Sequence, residues 1–75
     1  MDAKEVARGL VVEHREGLVQ LSVNQMKCVA RPKGFFDARD EIAAEIKYLL
    51  SEFFPEAEFQ VTNAGRDDYQ IKRVA

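Results

Sequence analysis

An α+β fold is what this sequence predicts: an antiparallel sheet of four strands, or five, with one amphipathic helix packed on one face, in the order ββ(β)αββ. Three observations carry it. Residues 37–54, DARDEIAAEIKYLLSEFF, hold the one long helical periodicity, the stretches on either side alternate apolar and polar residues with period two, and clusters of Gly, Asn and Asp punctuate those stretches as turns.

The helix is the best-specified element. Ile42, Ile46, Leu49, Leu50 and Phe53 recur at the spacing that gathers side chains on one side of a 3.6-residue turn, and that side must meet a core. Asp37 reads as the N-cap, because its short carboxylate can accept an orphan backbone N–H, and Asp40 adds negative charge at the positive end of the dipole. Pro55 sets the far boundary, since its ring disfavours the α conformation at Phe54.

Ahead of the helix, Gly9 and the β-branched Val11 and Val12 predict a strand over residues 7–14. Residues 2–8 fit two readings, a helical turn with Ala3, Val6, Ala7 and Leu10 on one side or a lead-in to the strand that is frayed over residues 1–6, and the sequence leaves both open. HREG, residues 14–17, reads as a hairpin turn, and Val19, Leu21 and Val23 then alternate with Gln20 and Ser22 as a half-buried strand. The alternation slips at Asn24 and Gln25, after which Met26, Cys28 and Ala30 form the expected inward set, so a β-bulge or a turn to a third strand belongs here. ARPKGFF, residues 30–36, is the crossover loop, with Phe35, Phe36 or both under the helix. Beyond Pro55, Ala57, Phe59 and Val61 alternate with polar neighbours, NAGRD at 63–67 supplies a turn, and Tyr69, Ile71 and Arg73 alternate again, which makes a second hairpin. The expected core is Leu10, Val12, Val19, Leu21 and Val23, the five helix residues, and Phe59, Val61, Tyr69 and Ile71. The sheet face around Gln60, Thr62, Gln70 and Lys72 is left open.

Composition bounds the function. The 75 residues read as a single domain, whose core is thin enough to leave on the order of 3–5 kcal/mol of net stability, and a homodimer would add buried area. With Cys28 the lone cysteine and His14 the lone histidine, the chain has no internal disulfide and no zinc-ligand spacing, so no metal is expected. The four glycines are far apart, which removes the dinucleotide fingerprint and the P-loop, and no cofactor is expected. An N-terminus without an apolar signal core and the lack of any 18-residue apolar run predict a cytoplasmic protein that does not enter a membrane.

The charges are unevenly placed. Residues 37–58 hold seven acids against Arg39 and Lys47, while the rest of the chain holds nine bases and six acids, for a formal charge of -2 and a pI near 5.3. Glu41, Glu45, Tyr48 and Glu52 fall within an arc of about 60° beside the apolar stripe of the helix. The first functional reading is therefore a small non-enzymatic protein-binding module, an inhibitor that presents this acidic surface to a basic protein, set against the plainer reading of a solvated helix face. A second reading is an RNA or single-stranded DNA binding domain, in which Lys27, Arg31, Lys33 and Arg39 hold phosphates and Phe35, with Phe36 beside it, stacks on bases. A third is an enzyme or enzyme subunit using Cys28, for which His14 is the one available imidazole base.

Overall fold

Helices, not strands, form the first third of the molecule. The computed structural model describes residues 2–75, so Met1 lies outside the described residues, and its element order is α1 (Ala3–Glu13), α2 (Arg15–Val19), β1 (Met26–Ala30), α3 (Arg39–Phe53), β2 (Phe59–Ala64) and β3 (Asp68–Arg73). The sheet has three strands in the order β1-β3-β2, both pairings antiparallel. This corrects the expected sheet of four or five strands with a single helix: the order is αα β α ββ, with three helices.

The physical reason lies in how residues 3–18 bury their apolar side chains. Ala3, Val6, Ala7, Leu10 and Val11 follow helical spacing and are all buried, and the Asp2 carboxylate caps the helix by accepting the Glu5 N–H at 2.9 Å. A strand would send Ala7 and Leu10 to opposite faces. A β-branched valine costs a helix at most about 0.7 kcal/mol, whereas burying Val6 or Val11 recovers about 1.5–3 kcal/mol, so tertiary packing overrides local preference. Leu18 of α2 extends the same buried set. Val12, Val19 and Val23, expected in the core, are exposed, and Leu21 is only half-buried.

The turn into β1 uses Asn24 in the left-handed region at φ 74, a conformation asparagine tolerates, with its N–H donating to Arg73 O at 2.7 Å. β1 is a separate strand with unbroken pairing to β3 from Met26 to Ala30, not a bulged continuation, and its phase is the reverse of the one expected. Val29 points into the core, whereas Met26, at 52% exposure, Cys28 and Ala30 lie on the outer face.

From α3 onward the expectations hold more closely. Ile42, Ile46 and Leu50 are fully buried, Leu49 and Phe53 pack partly against them, and Phe54 leaves the helical region at φ -130, ψ 68 immediately before Pro55. The N-cap is Ala38 without a side-chain hydrogen bond, so Asp37 does not take the capping role. β2 and β3 form the second hairpin, with Asn63 and Ala64 inside β2 and Gly65 taking positive φ in the turn. Tyr69 and Ile71 on the central strand meet the helices, while Gln60, Thr62, Gln70 and Lys72 share the uncovered face with Met26 and Cys28. No helix is long and apolar enough to cross a membrane.

Candidate functional site

Two charged surfaces stand out, and both are built around α3. The first runs along its exposed side. Glu41, Glu45, Tyr48 and Glu52 do share one side of the helix; Tyr48 is 57% exposed, and its hydroxyl donates to Glu52 Oε1 at 3.2 Å. That bond, together with the negative charge of Glu52, burial and the charge of Glu45, raises the Tyr48 pKa above 10.0. Among the described residues none of the three glutamates forms an ion pair. A cleft of about 450 Å³ separates α3 from α1 here, lined by Glu45, Tyr48 and Leu49 on one side and by Lys4 and Arg8 on the other. The acidic stripe is thus bounded on one side by two bases, Lys4 and Arg8, whose place beside it follows only from the packing of α1 on α3.

The second surface sits at the start of α3, where the crossover loop meets the β2–β3 turn. The alternation of β1 carries past Val29 to Arg31, which therefore enters the protein interior and is only 7% exposed. Its guanidinium donates to Arg66 O, to Asn63 Oδ1 at 2.9 Å and to Asp68 O at 3.3 Å, and lies 4.6 Å over the Tyr69 ring. Asn63 in turn donates to Asp40 Oδ1 at 2.8 Å, and the Tyr69 hydroxyl donates to Arg39 O at 3.2 Å. A buried cation is tolerable only with such partners, and here carbonyls and aromatic faces replace a paired carboxylate. Arg31 therefore ties the crossover loop, the hairpin turn and the first turn of α3 together.

Phe36 is the centre of the exposed part of this cluster. Its ring, 40% exposed, has Arg39 at 4.2 Å and both Arg31 and Arg66 at 5.6 Å. Arg39 also donates to Phe36 O at 3.0 Å. Of the residues expected to bind nucleic acid, the structure brings Arg31, Lys33 and Arg39 into this region and separates the other two. Phe35 packs against the core, so the exposed ring is its neighbour. Lys27 lies four strand residues away, roughly 13 Å, and its Cε runs 3.1 Å from where a Cβ on Gly17 would stand. Arg66 was not anticipated. The register that pairs Ala30 with Asp68 places the β2–β3 turn beside Arg31, so only strand order, not local pattern, could have signalled it.

Cys28 is a free, exposed thiol on the outer sheet face, and His14 terminates α1 on the helical side, 3.8 Å from Glu13. The two are therefore on opposite sides of the sheet and do not form a dyad. Among the described residues, no group of three His, Cys, Asp or Glu side chains is gathered in a way that could hold a metal ion. Comparison with protein-family models, curated proteins and solved structures finds no match.

Proposed function

We propose that this chain is a small non-enzymatic protein-binding module that presents the acidic face of α3 to a basic surface on its partner, as an inhibitor would. The observation that carries the reading is a half-exposed tyrosine held by Glu52 between carboxylates that have no ion-pair partner within the chain. Aromatic anchors flanked by charge are favoured at interfaces, because the ring supplies contact area at low entropic cost and the charges set orientation and on-rate. Lys4 and Arg8 bound the face on the α1 side, so the partner's basic residues would approach over Glu41, Tyr48 and Glu52. A cytoplasmic setting belongs to the same reading, since an exposed free thiol such as Cys28 stays reduced there.

The test is affinity capture from nuclease-treated lysate by the wild-type chain and by the Glu41→Gln, Glu45→Gln, Glu52→Gln variant. The proposal expects a basic protein retained by wild type, released by moderate salt, and lost by the variant at an unchanged or raised melting temperature. Equal capture by both chains would leave the stripe as a solvated face.

A further inference from the structure

We infer that the shallow basin beside Phe36 is a binding site for a single phosphate-type oxyanion. The basin, about 190 Å³, is lined by Arg31, Lys33, Phe36, Arg66 and Asp67, among others. Its cations come from two separate stretches of chain, the crossover loop and the β2–β3 turn, which only the pairing of β1 with β3 brings together.

Three features make the site suited to an anion. Lys33 and Arg66 make no side-chain hydrogen bond or ion pair among the described residues, so their donors remain available, although Arg66 also faces the Phe36 ring. Arg31 uses its two terminal nitrogens on internal acceptors, yet its Nε is a buried donor without a partner. Buried donors are rarely left unmade, and the residue that carries this one lines the basin. The lining holds three cations against one carboxylate, and phosphate oxygens take charge-assisted bonds from arginine and lysine in preference to neutral acceptors.

Size and surroundings decide which phosphate ligand fits. Small-molecule pockets begin at about 300 Å³, so this basin accommodates one anionic group, not a cofactor. Asp37, Asp40 and Asp68 lie in the flanking stretches and offset the field that a polyanionic strand would need along its length. A free phosphate or the head of a small phosphate monoester fits these limits. This site stands apart from the protein-binding reading on α3, and either can fail without the other.

The experiment is an amide NMR titration of the full chain with inorganic phosphate at constant ionic strength, with chloride as control. The site predicts saturable shifts confined to residues 31–36 and 65–67 with phosphate and none with chloride. Lys33→Gln and Arg66→Gln change exposed side chains, so both variants should fold, and each should weaken phosphate binding roughly tenfold. The Glu41→Gln, Glu45→Gln, Glu52→Gln chain should bind phosphate no more weakly than wild type. Phosphoserine tested in parallel distinguishes a monoester head from free phosphate: equal or tighter binding assigns the former, weaker binding the latter. Absence of saturable shifts with phosphate overturns the proposal. So does a single-stranded oligonucleotide that binds far more tightly with a steep salt dependence, because that is the behaviour of a strand-tracking surface.

Discussion

The exposed side of α3 and the region packed against its N-terminal end carry charge in opposite ways. Along the exposed side, Glu41 and Glu52 are exposed and Glu45 is half-buried beside the α1 cleft, and the one side-chain hydrogen bond is that of the Tyr48 hydroxyl to Glu52. At the N-terminal end, Arg31 is enclosed, with carbonyls of Arg66 and Asp68, the Asn63 side chain and the Tyr69 ring around it. A charge already surrounded by backbone acceptors is part of the fold, and removing it leaves those acceptors unpaired. A charge without internal partners is only weakly coupled to stability and is free to meet a ligand. The same helix therefore separates a structural cation from candidate binding anions.

The strongest way to break this comparison is Arg31→Met. If the guanidinium is structural, its loss strands the Arg66, Asp68 and Asn63 oxygens and should cost about 2–4 kcal/mol, most of what a domain this small has to lose. Chemical denaturation measures it, and Arg31→Lys should rescue little, because one ammonium cannot reproduce the planar fork or its stacking on Tyr69. A melt like wild type would mean that Arg31 is as dispensable as the glutamates.

Tyr69→Phe is a smaller test of the same region. It keeps the buried ring and removes only the donor to Arg39 O, so a loss of about 1 kcal/mol is expected in denaturant titration. No loss would detach the first turn of α3 from the hairpin.

On the acidic side the sign should reverse. Replacing Glu41, Glu45 and Glu52 with glutamine relieves the like-charge pair of Glu41 and Glu45, and the chain should be as stable as wild type or up to about 0.5 kcal/mol more so. Destabilisation in the thermal melt would show that these carboxylates have internal roles after all.

Glu52→Gln gives the finest reading. With Glu52 in place the neutral phenol is favoured, so the Tyr48 pKa is raised above 10.0 in the folded chain. The stabilisation tied to this bond is present below pH 10 and is lost as pH rises through the raised value. In the variant the Tyr48 midpoint should move down towards 10.0, followed by ring NMR signals across the alkaline range. An unmoved midpoint would show that Tyr48 is not held against Glu52, and the acidic face would lose its fixed anchor.

The helix of residues 39–53 and the second hairpin were legible because period and punctuation agree there: Ile42, Ile46 and Leu50 repeat at helical spacing, Pro55 stops the run, and Phe59, Tyr69 and Ile71 alternate around a glycine-bearing turn. Residues 3–19 were not, because β-branched Val11 and Val12 argue for strand while Val6, Ala7, Leu10 and Val11 line up only on a helix, and local preferences of tenths of a kcal/mol cannot settle which. The presence of α3 as a packing partner settles it. The acidic stripe, a property of one continuous helix, needed nothing beyond the spacing of Glu41, Glu45, Tyr48 and Glu52. The Arg31 cluster needed the sheet: Arg31 and Arg66 are 35 residues apart and meet because β1 pairs with β3. Spacing along the chain determines what one element presents, while burial shared between distant elements decides which charges are enclosed, and that depends on contacts no local pattern encodes.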